Sequence, residues 1–123
     1  MRVLVLALLA MVTIALPPLA GAKEPPSTAP CQSVADTHWR GNYSWSDGES
    51  REWTLWFRAD GVLIYGYGGA SYDNGRWGQR DALIWIDTND HYAMYVGRCI
   101  NGEVEGSSFN RVGLRGEWRV RPE

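Results

Sequence analysis

Gly113-Leu114-Arg115-Gly116-Glu117-Trp118-Arg119-Val120-Arg121 is the stretch that decides the fold class. Leu114, Gly116, Trp118 and Val120 share one face of an extended strand. Arg115, Glu117, Arg119 and Arg121 share the other. This is the two-residue period of a half-buried strand. At the far end of the patterned region, Trp39, Gly41, Tyr43 and Trp45 likewise oppose His38, Arg40, Asn42 and Ser44. First and last strands that are each apolar on one face predict a sheet that closes on itself, because closure removes exposed edges.

Between these two strands, short aromatic and aliphatic runs are separated by turn dipeptides: Asp47-Gly48, Asp60-Gly61, Gly68-Gly69, Asn74-Gly75, Asn89-Asp90 and Asn101-Gly102. No helical period intervenes, so the chain reads as all-β. Eight strands are predicted, over His38–Ser46, Glu52–Ala59, Val62–Tyr67, Tyr72–Gln79, Ala82–Asp87, His91–Cys99, Glu103–Phe109 and Gly113–Arg121. In the second, Trp53, Leu55 and Phe57 oppose Thr54, Trp56 and Arg58. Asp60-Gly61 predicts a two-residue hairpin. Asn74-Gly75 is either a bulge or a turn that splits the fourth strand. The expectation is an antiparallel, up-and-down, eight-stranded barrel over residues 37–123.

Residues 1–22 read as a signal peptide. Arg2 supplies the positive start, Val3 to Leu16 the apolar run, and Ala20-Gly21-Ala22 the small-residue cleavage site. The apolar run is too short to cross about 30 Å of hydrocarbon, and Pro17-Pro18 follows it directly. No membrane span is expected after cleavage, and the location expected is periplasmic or extracellular. Residues 23–36, with Pro25, Pro26 and Pro30, read as an extended arm tied to the domain only through Cys31. Cys31 and Cys99 are the two cysteines, and an oxidising compartment pairs them. Closing a loop of that length stabilises the fold by about 4 kcal/mol in the chain-entropy model. Of the 12 basic residues, Arg2 leaves with the leader, so 11 face 14 acids for a charge of −3. That balance argues against a nucleic-acid partner, which requires clustered Lys and Arg.

Trp39-Arg40-Gly41-Asn42-Tyr43 at the start and Gly113 to Arg119 at the end, around an eight-stranded meander, resemble the calycin-type barrels. That superfamily contains the lipocalins, fatty-acid-binding proteins and avidin-like proteins. The resemblance makes Trp39, Gly41, Trp118 and Arg119 a structural signature. It implies that Trp39 packs near Arg119 or Arg121 at one barrel end, and that the protein binds rather than catalyses. Gly41 follows Trp39 here, whereas lipocalins place glycine before the tryptophan. Gly68-Gly69-Ala70-Ser71-Tyr72 is also similar to the recognition loop of periplasmic inhibitors of c-type lysozyme, with Gly68 in place of that loop's serine.

No motif carries catalysis. There is no Gly-x-Ser-x-Gly, and Glu103 and Glu105 share one strand face where carboxylates normally meet water. Asp87-Thr88-Asn89-Asp90-His91 offers oxygen and nitrogen atoms, but fewer than a calcium loop uses, and it reads as a turn. No metal or cofactor is expected, and no enzyme. The informative signal is aromatic: seven Trp, six Tyr and two Phe, rich for a chain of this size and enough to fill a barrel without a ligand, with rings on both strand faces. Trp39, Trp53 and Trp118 suit the core. Trp45, Trp56, Tyr65, Tyr67, Tyr72 and Trp77 are the candidate contact residues. Three of them lie in Tyr65–Asn74, where tyrosines alternate with glycines as in adaptable recognition loops. A mouth lined by Trp45, Tyr67 and Trp77 would mark a carrier of an apolar or glycan-like small ligand. A ring-filled barrel with Tyr67, Tyr72 and Trp56 outside would mark an envelope protein that binds another protein, such as an inhibitor or immunity-type module.

Overall fold

The alternation read from the sequence is met by eight strands: β1 (Thr37–Trp45), β2 (Arg51–Phe57), β3 (Val62–Tyr67), β4 (Ala70–Arg80), β5 (Leu83–Thr88), β6 (Ala93–Ile100), β7 (Glu103–Asn110) and β8 (Arg115–Pro122). They come from a computed structural model that describes residues 31–123. The signal peptide expected over 1–22 and the arm over 23–30 lie outside the described residues. Each strand pairs antiparallel with the next, and β8 returns to β1, so the sheet is a closed up-and-down barrel. One disulfide, Cys31–Cys99, ties the chain before β1 to β6. Among the described residues, no helix is long and apolar enough to cross a membrane.

The turns form at their dipeptides, and two of them are longer than the dipeptide predicts. Gly68-Gly69 and Asn101-Gly102 are two-residue loops with positive φ at both positions, the pairing that a right-twisted hairpin demands. The β2–β3 loop is one residue longer than Asp60-Gly61 predicts. Arg58 N–H donates to Val62 O at 3.0 Å, leaving Ala59, Asp60 and Gly61 to turn, with Gly61 at φ 87°. That is the three-residue hairpin ending in a left-handed glycine. β6 begins at Ala93 rather than His91, because Asn89, Asp90 and His91 all have left-handed φ, between 51° and 65°.

Asn74-Gly75 resolves as a bulge. Leu63 pairs with Gly75 but Tyr65 pairs with Tyr72, so β4 spends one more residue than β3 over this stretch. The extra residue reverses the parity of β4, which lets Tyr72 on one side and Gly75 and Trp77 on the other all face inward. A Cβ on Gly75 would sit 2.7 Å from Leu63 O, so the close strand approach requires glycine.

The barrel interior is filled. Leu55, Phe57, Leu63, Ile84, Ile86, Val104 and Val120 are fully buried. Each such side chain contributes about 1.5–3 kcal/mol by leaving water. Trp53, Tyr95 and Trp118 cross the middle, with centroids 4.9–6.0 Å apart.

One end of the barrel is plugged. Val34, before β1, is 2% exposed, and its N–H donates to Gln79 Oε1 at 3.0 Å. Asp36 N–H donates to Phe57 O at 2.6 Å, and Thr37 Oγ1 to Val34 O. The end of the arm is therefore part of the domain, not a tether held through Cys31 alone. Apolar Val34 supplies the cap that the Pro-rich composition concealed.

The β1–β8 seam departs from the calycin expectation. Trp39 is buried, donates from Nε1 to Thr37 Oγ1 at 2.7 Å and meets Phe57 edge-on. Arg119 lies on the outer wall and pairs with Glu105 at 2.6 Å, and Arg121 shares that outer parity and is exposed. Strand alternation places both arginines on the face opposite Trp39. Gly41 holds the seam tight, since a Cβ there would lie 1.9 Å from Arg119 O.

Candidate functional site: an aromatic cup at the open end

The end opposite the plug is open. β1 delivers Tyr43 and Trp45, β2 Trp53, β3 Tyr65 and Tyr67, and β4 Tyr72. The turn before β6 brings Asn89 and Tyr92, and β6 brings Tyr95. With Thr88 and Ala93 these residues enclose a cup of about 210 Å³. It is smaller than the pockets that hold drug-sized molecules.

One wall is a stack of three tyrosines. Tyr72 lies between Tyr65 and Tyr67, with centroids 5.3 and 5.2 Å away and planes within 23°. Tyr43 meets Tyr67 edge-on at 6.3 Å and lies tilted against Trp53 at 5.0 Å. Trp45 leans on Tyr95 at 5.9 Å, and Tyr95 on Trp53 at 4.9 Å, forming the floor. The bulge serves this wall: Asn74, carried out of register, accepts from the Tyr65 hydroxyl at 2.5 Å.

The electrostatics are uniform. Every lining residue is neutral at pH 7. Burial pushes the Tyr95 phenol far above its ordinary range, with Tyr43 and Tyr65 adding to the effect. Burial also raises Tyr65. Tyr67 is raised first by its hydrogen bond with Tyr72, then by burial. Tyr65, Tyr67 and Tyr95 are therefore held protonated beyond the ordinary phenol range. Trp53 Nε1, 2% exposed as a residue, has no hydrogen-bond partner among the described residues.

The turn over the cup is strained. Three consecutive left-handed non-glycine residues cost about 1–2 kcal/mol each. Asp87 secures them by accepting from His91 N at 2.9 Å and by contacting His91 Nδ1, while Arg111 Nη2 donates to Asp90 O at 2.8 Å. This is how Asp87–His91 is used: as a turn. Among the described residues, no three of His, Cys, Asp and Glu gather to hold a metal.

Of the six candidate residues, Trp45, Tyr65, Tyr67 and Tyr72 come together in the cup. Trp56 does not. It has the parity opposite to Trp53 and Leu55, so it lies on the outer wall, stacked on His38 at 5.0 Å with the Arg58 guanidinium 6.0 Å from its ring. Trp77 lies at the plugged end, donating from Nε1 to Arg58 O at 2.8 Å and meeting Phe57 edge-on. Five residues of extended chain separate it from Tyr72 by about 17 Å, the length of the barrel wall. The mouth thus has Trp45 and Tyr67 but not Trp77. Sequence reasoning assigned Trp53 to the core, and it lines the cup as well. Tyr92 was missed because its alternation opposes Tyr95; the left-handed turn before it breaks that parity.

A broader depression of about 570 Å³ lies on the outer wall over β7, β8 and β1. It is shallow, and its one arginine, Arg119, is engaged by Glu105. On the neighbouring wall, Leu83, Trp85, Val96, Ile100 and Phe109 are exposed, with Trp85 and Val96 directly paired.

No protein-family model, no curated protein and no solved structure matches the chain.

Proposed function

We propose that this is an exported, non-enzymatic binding protein that holds a compact small molecule in the aromatic cup. The observation that carries the reading is the contrast within the barrel: rings fill the lower part, yet at one end eight of them enclose an open space. A long acyl chain has nowhere to go, because Trp53, Tyr95 and Trp118 block the axis. Between an apolar and a glycan-like ligand, the eight rings of the lining favour an apolar surface. The Tyr65 hydroxyl is engaged by Asn74, and Thr88 Oγ1 by Ala93 O. Sugar hydroxyls left unpaired in such a cup cost about 1–3 kcal/mol each. The Cys31–Cys99 disulfide accords with an oxidising compartment.

The protein-binding reading keeps one supporting observation, the apolar outer wall around Trp85 and Phe109. Exposed patches of this kind mark contact surfaces. Native mass spectrometry of the oxidised protein drawn from its own envelope extract separates the two readings. A small discrete mass excess, lost in Tyr72→Ala, is the expected result. A complex larger by a whole protein, retained in Tyr72→Ala, moves the function to the outer wall. A bare monomer overturns a tightly held ligand.

A further inference from the structure

Given the cup as a small-molecule site, as proposed above, the charge at its rim narrows the occupant. Along all eight strands, the positions whose alternation faces the interior are uncharged, with one exception, Arg51. It opens β2 two residues before Trp53 and pairs in register with Tyr43, which puts it on the inner parity at the mouth of the cup. Glu52, the next residue, has the outer parity, and there it pairs with Arg40 at 3.5 Å. Arg51 is exposed and has no carboxylate partner among the described residues, although Asp47 and Glu49 precede it in the β1–β2 loop. The Tyr67 phenol, raised by its hydrogen bond with Tyr72 and by burial, is drawn back by the Arg51 charge, so the guanidinium lies near this rim ring.

A neutral, ring-lined interior with one unanswered cation at its edge is complementary to an apolar body that carries one anionic group. The guanidinium fork offers two parallel N–H donors, the number that a single carboxylate accepts. A phosphate monoester, with nearly twice the charge, would leave part of it unanswered.

We propose that the cup takes a compact apolar carboxylic acid as its anion, with the hydrocarbon body among the rings and the carboxylate against Arg51 at the rim. The rings contribute apolar area to this contact whichever way their faces turn. The carboxylate keeps its contact with solvent, so no charge is desolvated inside the cup.

Three probes of one shape test this by titration calorimetry of the mature oxidised protein: benzoate, benzamide and benzamidinium, which differ chiefly in charge. Cyclohexanecarboxylate extends the test to a body that is not flat. Benzoate should bind about two- to fivefold tighter than benzamide, the reach of one solvent-exposed ion pair, and benzamidinium should bind weakest. The gap between benzoate and benzamide should narrow as salt is raised. Arg51→Gln should close that gap and leave benzamide unchanged, and Arg51→Lys should restore part of it. Arg51 is exposed, so neither variant disturbs the fold. Equal binding of the three probes, or a gap that survives Arg51→Gln, overturns the acid while leaving an apolar small-molecule site. No binding of either acid also overturns it, and the mass excess described above then decides separately whether the cup is a site at all.

Discussion

The two ends of the barrel are built from the same residue types and treat them in opposite ways. At the plugged end the polar tip of each tryptophan is engaged: Trp39 Nε1 by Thr37, Trp77 Nε1 by Arg58 O. Gln79 accepts from Val34 N and donates to Gln32 O and Asp81 O. At the open end Trp53 Nε1 is buried without a partner, rings border empty space, and three residues of one turn are left-handed. A buried unpaired donor and a strained turn both cost stability. The difference teaches that aromatic content alone does not separate core from site. What separates them is whether the polar tips and the backbone around the rings are at rest.

The sharpest way to break this comparison is to remove one ring from the plugged end. Phe57 is fully buried between Trp39 and Trp77. Phe57→Ala should destabilise the protein by about 3–5 kcal/mol, read as a shift of the urea midpoint at unchanged slope. A loss below about 1 kcal/mol would mean that this end is looser than its hydrogen bonds imply. Next in size is the clasp. Cys31→Ser with Cys99→Ser opens a loop of 68 residues and should cost about 2–4 kcal/mol. It should also loosen Val34 and Trp77 without disturbing the cup. Tryptophan quenching by acrylamide, compared with the oxidised protein, checks that restriction to one end.

The all-β class, the eight strands, closure and the disulfide pair were legible in the sequence, because each rests on a local pattern: alternation, turn dipeptides, and two cysteines. The cup was legible only in part. Trp45, Tyr65, Tyr67 and Tyr72 follow from composition and position near turns. Trp77 was expected at the mouth and lies at the other end. Assigning Trp77 to an end requires the strand register and length, which pair residues far apart in sequence. Trp56 was set apart from the core by parity as an outward ring, and it lies on the outer wall, away from the Tyr67 and Tyr72 it was grouped with. The bulge at Asn74-Gly75 and the left-handed run at Asn89–His91 each reverse alternation locally, which is why Tyr92 and the inward position of Tyr72 escaped a strict two-residue count.

Alkaline pH sharpens the comparison next, because a raised tyrosine sits at the floor of the cup. Tyr95 is buried and held far above its ordinary range, chiefly by that burial. In the unfolded chain it loses its proton near pH ~10. Below that pH both states keep the proton, and its contribution to stability is fully present. Above it only the unfolded state deprotonates, so stability falls as pH rises toward the folded value. The slope for one such group is about 1.4 kcal/mol per pH unit. Tyr95→Phe should flatten that limb in urea midpoints taken from pH 9 upward, while leaving the neutral-pH value within about 1 kcal/mol. A limb as steep as before would show that other groups carry the alkaline loss.

The smallest expected effect on stability is also the one that separates the ends most cleanly. Tyr67 is exposed at the rim, stacks on Tyr72 at 5.2 Å and meets Tyr43 edge-on. Stacked aromatic pairs contribute about 0.5–1.5 kcal/mol when dry, and an exposed pair contributes toward the lower bound. Tyr67→Ala should therefore shift stability by about 0.5 kcal/mol, several-fold less than Phe57→Ala, although both delete one aromatic ring. Its effect should appear instead as loss of the small-molecule mass excess in native mass spectrometry. If Tyr67→Ala unfolds the protein as Phe57→Ala does, the rim ring belongs to the core, and the cup is a gap in packing rather than a site. If it leaves stability alone and abolishes the bound mass, the ring is held in place for something other than the fold.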